Sequence, residues 1–389
     1  MPLSNADILC FANDWEADPT SKHHLMRHLA ERHRVLWVEA AGMRAPNLLR
    51  SQDLLRIVRK TRAMVRPTQQ VLDNLYVYAP PTIPLPTWRV ARAVNSLLYR
   101  VTLQREQRRA AFRGAPVVWT FSPHVVPFLR RLPRQFLVYH CVDRWTAFRD
   151  YDAELMETWE RQLCGLADIV FASAEDLAER CRAFGAEVHY VPHGVSYGHF
   201  NSALEVGPVR DDLASIPAPR VGFFGLIHEW VDLELVAELA RQRPAYSFVL
   251  IGDSHTDTTP VADCPNVHLL GRRPFATLPA YCRGFAAAIV PFRMTELTKS
   301  VNPIKLREYA AAGLPIVSSD LPEVRRCRDI AEVAATQSAW LKALDRAVAK
   351  GLIAEERHLQ SERVRDQDWA VVARRLVALI DERDKRRAR

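Results

Sequence analysis

The 389-residue chain carries 53 lysines and arginines against 45 acids, a formal charge of +8, and 48% of its residues are apolar. That length suits two domains of ordinary size, because single cores rarely grow beyond about 250–300 residues. No apolar run nears the ~20 residues of a membrane span. The seven cysteines show neither CxxC nor zinc spacing, which points to a reducing compartment and no metal. The opening MPLSNADILCFAND has no basic stretch ahead of its short apolar run, so no signal peptide is expected and the protein reads as cytoplasmic.

The predicted elements alternate strand and helix throughout, the pattern of parallel-sheet α/β domains. In the first half, strands are expected at 7–12, 34–39, 75–79, 116–121, 136–140, 168–172 and 187–191. Helices are expected near 21–32, 88–112, 152–165 and 174–184. Residues 201–219, NSALEVGPVRDDLASIPAP, contain three prolines and no sustained periodicity, and read as a linker. The chain then starts afresh with strands at 220–224, 247–251, 267–270, 287–291 and 315–318. Helices lie near 232–242, 275–283, 303–312 and 338–350. The tail from 366 to 389 spaces Trp369, Val372, Leu376 and Leu379 three or four apart, as an amphipathic helix does.

Charge is unevenly spread. Residues 44–134 hold 17 basic residues and three acids, a net of +14, while the rest of the chain nets −6. Within 48–66, Leu48, Leu49, Leu54, Leu55, Ile57 and Val58 lie among basic residues including Arg56, Arg59, Lys60 and Arg62, a mix that suits a basic helix on an anionic membrane or acceptor surface. A surface helix packed on its own domain fits nearly as well. No zinc-finger, ribonucleoprotein or recognition-helix pattern accompanies the charge, which sets nucleic acid aside.

The most informative stretch is 302–318, NPIKLREYAAAGLPIVS. Asn302 reads as an N-cap, Pro303 as the first helical residue and Gly313 as the stop. Lys305 and Arg307 then fall in the first turns, where the helix dipole disfavours cations. A bound phosphate at that helix end removes the conflict. The alternative is an ordinary surface helix with a Lys305–Glu308 pair at i,i+3 spacing. Open α/β sheets hold ligands at strand C-terminal ends. That rule gathers Gly225, Arg272 and Arg293 near the helix, with Gly222 and Gly225 allowing close backbone approach. There is no GxGxxG and no GxxxxGK[ST], so neither a nicotinamide dehydrogenase nor a P-loop NTPase is supported.

These residues carry a family resemblance. NPIKLREYAAAGLPIVSS closely resembles the C-terminal-domain motif of GT-B glycosyltransferases, chiefly the bacterial family 4 (group 1) enzymes. VGFFGLIHEWVDLELVAELA, FVLIGD, NVHLLGRRPFATLPAYC and AAAIVPF follow the same family's order, and ADIVFASAEDLAERCRAFGAEVHYVPHGVSYGHF resembles the usual end of its first domain. YHCVDRWTAF and the opening segments resemble a subgroup assigned to cell-surface polysaccharides. The resemblance spans about residues 5–380. It implies two facing Rossmann-like domains with parallel sheets, over about 1–200 and 220–365. It also implies a C-terminal helix, 366–389, that crosses back to the first domain.

The donor, a nucleotide-diphosphate sugar, would bind mainly the second domain, and a saccharide or lipid-linked acceptor the first. Glu308 matches the Glu that binds the donor ribose. Asn302, Pro303 and Lys305 match the turn at the diphosphate and sugar, and His193 falls where the interdomain hinge touches the donor. Two departures stand out. Ser300 occupies the place of the family's first Glu, and the Arg and Lys that usually follow the first strand are missing, with Leu226 and Glu229 in that region. Lys305, then Arg293 and Arg272, are left to meet the diphosphate charge.

The reading is a hexosyl transfer in cell-surface polysaccharide or glycolipid synthesis, with the nucleotide sugar as substrate and no cofactor. An inverting reaction needs a base for the acceptor hydroxyl. Asp143 and His124, at the strand ends of the first domain, are the candidates. A sugar-nucleotide 2-epimerase and an inactive binding relative remain as alternatives.

Overall fold

The computed structural model describes residues 6–39, 68–83, 88–130, 132–149 and 151–387. Arg56, Arg59, Lys60 and Arg62 lie outside the described residues. The chain forms two compact units, residues 1–192 together with 373–389, and residues 193–372.

Unit 1 is built on a set of strands, of which the central ones are buried on both faces and so read as unbroken apolar runs. They are β1 (Ile8–Ala12), β2 (Val35–Glu39), β3 (Gln69–Leu72), β4 (Leu75–Tyr78), β5 (Val117–Thr120), β6 (Phe136–Cys141), β7 (Ile169–Ala172) and β8 (Val188–Tyr190). Among the described residues the sheet order is β3-β4-β2-β1-β5-β6-β7-β8. All pairs are parallel except β3 with β4, an antiparallel edge hairpin. The order reverses direction between β1 and β5, where an open α/β sheet leaves a crevice at its strand C-termini. Helices α1 (Ser21–Ala30), α2 (Arg89–Arg109), α3 (Ala153–Leu166) and α4 (Glu175–Ala183) connect these strands. Asp152 caps α3 by accepting from the Leu155 N–H at 3.0 Å; such a cap is worth about 1 kcal/mol.

Unit 2 carries β9 (Arg220–Phe224), β10 (Ser247–Ile251), β11 (Val267–Gly271), β12 (Ala287–Val290), β13 (Ile316–Ser319) and β14 (Ala331–Ala334). Its order, β11-β10-β9-β12-β13-β14, is the Rossmann order 3-2-1-4-5-6, and every pair is parallel. The reversal falls between β9 and β12. Helices α5 (Leu233–Gln242), α6 (Ile304–Ala311), α7 (Gln337–Gly351) and α8 (Ala354–Glu362) cover the sheet. Within 201–219, Ala203, Leu213 and Ile216 are buried in this unit's core.

Helix α9 (Trp369–Arg387) starts in unit 2 and finishes in unit 1. Its later part buries Ala373, Leu376 and Ile380. Arg383 donates to the Asp168 carbonyl at 3.0 Å, and Arg387 pairs with the Asp168 carboxylate at 2.7 Å. Both bonds fall at the start of β7. Among the described residues, no helix is long and apolar enough to cross a membrane.

Candidate functional site

The site in unit 2 grows from the turn after β9. Gly225 has φ +132, and a Cβ built there would lie 2.1 Å from Lys305 Cε and 2.6 Å from Nζ. The space a side chain would fill is taken by Lys305. Helix α6 therefore aims its first turn at the end of β9, beside the reversal of strand order. Gly222 does something else: a Cβ there would sit 2.1 Å from the Phe285 ring, so this glycine serves core packing and not the approach of a ligand.

Helix α6 begins one residue later than the sequence suggests. Pro303 takes the N-cap, and Asn302 is drawn inward. Its amide donates to Glu323 at 3.0 Å, and its carbonyl oxygen accepts from Arg307 at 2.7 Å. Arg307 also donates to Gln367 at 2.7 Å. Asn302, Arg307 and Glu323 are all buried. So the two cations that seemed misplaced at this helix end part company. Arg307 is a structural clamp satisfied from within, and Lys305 is turned to the site. Gly313 ends the helix as expected, at φ +74.

Among the described residues, neither the Lys305 nor the Glu308 side chain makes a hydrogen bond or a salt bridge. Glu308 is buried. Burial pushes its carboxyl up to about 7, against a smaller opposing pull from Lys305. Burial likewise holds the Lys305 ammonium below its usual value, with Glu308 opposing. Each group is short of solvation in its charged form. A ligand offering anionic oxygens to one and hydroxyl donors to the other relieves both.

The other expected donor residues are spread around this core. Arg293 follows β12, but its guanidinium is turned to Asp232 and Glu234 at the start of α5. Asp232 is at the same time the cap of α5, accepting from Leu235 at 3.1 Å. Arg272 is exposed beyond β11, and its neighbour Arg273 is spent on Asp212 and Tyr281. His193 is half-buried with its ring 6.1 Å from that of Trp369. The strip just after it is tied down by Val195 N–H to Gln367 O and Trp369 N–H to Val195 O. In the loop beyond Gly225, His228 stacks on Trp230 at 4.2 Å, an aromatic rim that the sequence reading did not single out.

In unit 1 the expected residues meet at the C-terminal ends of β5 and β6. His124 shares a 2.6 Å bond with the Ser122 hydroxyl through Nδ1. Its ring is edge-on to Trp145, Tyr151 and Trp159 at 5.3–5.8 Å. Asp143 pairs with Lys22 of α1 at 3.3 Å, and Lys22 Nζ lies 5.8 Å over the Trp145 ring. Trp145 thus stands between the histidine and the ion pair. Trp15, His23 and Trp37 form a second aromatic group after β1, with centroids 4.8–5.2 Å apart. Lys22 and these aromatics were missed because no local spacing links them. Aromatic faces flanked by polar groups suit a sugar ring.

Beneath these, Cys141, Glu160 and Cys181 gather in the core. Glu160 already accepts from the Tyr139 hydroxyl at 2.7 Å and Arg180 Nε at 2.9 Å. The adjoining Cys181 thiol and burial push the Cys141 thiol up, so the sulfurs pack as protonated thiols.

Comparison with known proteins agrees with this geometry. The structure is similar to sucrose-phosphate synthase from Thermosynechococcus elongatus, with TM-score 0.69 at 14% identity over 97% of this chain and 99% of that one. It is similar to Anabaena HepE in complex with UDP and glucose, with TM-score 0.63 at 13% identity over 97% and 99%. The fold is that of the GT-B glycosyltransferases. Residues 218–350, which hold every described strand of unit 2, match the family model described as Glycosyl transferases group 1. A Bacillus subtilis protein named as a teichuronic acid biosynthesis glycosyltransferase is 26% identical over 206 residues. That match covers 49% of this chain and about half, 52%, of the relative.

Proposed function

We propose that the protein transfers a hexosyl unit from a nucleoside diphosphate sugar to a saccharide or lipid-linked acceptor, in the synthesis of a cell-surface polysaccharide or glycolipid. One observation carries the reading. The Lys305 and Glu308 side chains make no hydrogen bond or salt bridge among the described residues at the first turns of α6, with Lys305 against Gly225 at the strand reversal of a Rossmann-ordered sheet. The diphosphate is assigned to Lys305 and the ribose diol to Glu308. UDP and glucose in the Anabaena neighbour, and the name of the Bacillus subtilis relative, support donor and pathway.

In the reaction, the bond from the sugar's anomeric carbon to the β-phosphate oxygen breaks, and the oxygen keeps the electron pair. An acceptor hydroxyl oxygen bonds to that carbon and gives up its proton. Lys305 stabilises the departing diphosphate as its charge grows. Asp143 is the base we assign, with His124 on the other side of Trp145 and the aromatic faces holding the acceptor ring.

Two outcomes test this. Lys305→Ala should weaken binding of a nucleoside diphosphate about 30-fold while leaving the nucleoside within threefold, read by calorimetry, as loss of one charge-assisted contact requires. Equal losses for both ligands would remove the diphosphate role. Asp143→Asn should cut kcat by 10²-fold or more with donor affinity unchanged. If donor affinity falls along with turnover, Asp143 belongs to folding or donor binding instead.

A further inference from the structure

Helix α2 presents two apolar faces. Ala91, Tyr99 and Leu103 are buried in unit 1, as helical spacing allows. On the other side Val90, Val94, Leu97 and Val101 follow one another at i, i+4, i+7 and i+11, and they too line up. Their exposures are 73%, 40%, 58% and 61%. Trp88, at the head of the stripe, is 63% exposed. Beyond its far end come Arg105 and Arg108, with Arg100 on the flank, all exposed. The helix holds six arginines and one acid. That acid, Glu106, is buried and paired with Arg109 at 2.9 Å, so it shows no negative charge outward.

We propose that the outer face of α2 docks unit 1 onto an anionic lipid bilayer. A stripe of small aliphatics with a tryptophan at one end and arginines at the margin matches the headgroup–acyl boundary, which accepts apolar side chains a few ångströms deep and cations at the phosphate level. Charge complementarity selects this occupant. The helix lies in the stretch 44–134 that nets +14 in a chain otherwise net negative, and polybasic segments are drawn to anionic leaflets. The inner face already anchors α2 to the core, so docking needs no refolding. The proposal does not rest on the transfer reading, since nucleotide-sugar binding is placed in unit 2.

The test is co-sedimentation of the full chain with vesicles of phosphatidylcholine, with and without phosphatidylglycerol. Binding should be at least tenfold stronger with phosphatidylglycerol and should weaken in 0.5 M salt by screening, roughly tenfold. Val94→Gln, Leu97→Gln and Val101→Gln together should lower binding at least tenfold, as should Arg100→Glu and Arg108→Glu together. All five side chains are exposed, so melting temperature and nucleotide affinity should stay unchanged in both variants. In the wild type, brominated lipid should quench tryptophan fluorescence, and Trp88→Phe should remove most of that quenching. Failure of the wild type to bind phosphatidylglycerol vesicles overturns the proposal. So does undiminished binding by the glutamine variant. A wild-type dimer in lipid-free sedimentation velocity that the glutamine variant converts to monomer would also overturn it, giving the face to a second copy.

Discussion

Glu308→Gln is expected to raise the melting temperature of the free protein at pH 8 while weakening its hold on a nucleotide sugar. The carboxyl is pushed from a reference of 4.5 to about 7 by burial. A raised carboxyl stabilises the fold relative to its ionised form below pH 4.5, and that contribution is lost as pH climbs to 7. Above pH 7 the wild type therefore carries a penalty on the order of 3 kcal/mol, at about 1.4 kcal/mol per pH unit. Glutamine avoids the charge but still buries an amide, so a gain of about 2 kcal/mol, or roughly 5 °C, is expected at pH 8. Near pH 5 the gain should largely vanish. Calorimetry should show donor affinity down by about 10- to 100-fold in the variant, the value of charge-assisted bonds to a hydroxyl pair. Wild-type affinity should fall towards tenfold per unit below pH 7, and the variant's should be flat. A variant less stable at pH 8, or one with unaltered affinity, would show that Glu308 is an internal structural group.

The second large effect is expected at Gly252. Its φ is +154, and a Cβ there would lie 1.9 Å from the Gly225 carbonyl oxygen and 2.8 Å from its carbon. Both are backbone atoms. Both loops are also tied to the sheet, by Gly225 N–H to Ile251 O at 2.8 Å and Gly252 N–H to Gly271 O at 3.0 Å. Neither side can yield without giving up a hydrogen bond. Gly252→Ala should cost about 4 kcal/mol or more, the range of severe overpacking with backbone strain. It should also abolish donor binding, because the displaced Gly225 lies against Lys305. Gly114→Ala is the control, with no atom within 4 Å of its Cβ, and should move the melting temperature little. A stable, donor-binding Gly252→Ala protein would show that the turn has room the structure denies it.

Much of the fold was legible because most of its parallel strands are buried on both faces. β9 and β10 fall on the expected residues, and β1, β2, β5 and β7 within one residue at each end. What was missed has a common cause. β3, QQVL, is an edge strand with mostly exposed residues, and β14, AEVA, is a short edge strand poor in branched side chains. Helix α8 buries only Gln360 and Ser361, which bond to carbonyls of Leu314, Ile330 and Ala311. A helix docked by polar bonds has no apolar stripe to read. In the site, Lys305 and Glu308 were legible because they sit in one motif. Arg307 was half-read: its position was noticed, but its partners, Asn302, Glu323 and Gln367, are up to 60 residues away. The pairing of Lys22 with Asp143 spans 121 residues, beyond any local pattern.

Helix α9 has a consequence for how this protein is made. Unit 1 consists of residues 1–192 and 373–389, so a ribosome that has finished the first stretch has not yet supplied the piece that caps Asp168. At about 5–20 residues per second, the intervening unit takes roughly 10–40 s to synthesise. For that interval the nascent first unit stands without the segment that carries its buried Leu376 and Ile380. Completion of the earlier-born half waits for the later-born one, and a chaperone bound to that unit during translation would be released only when the tail emerges.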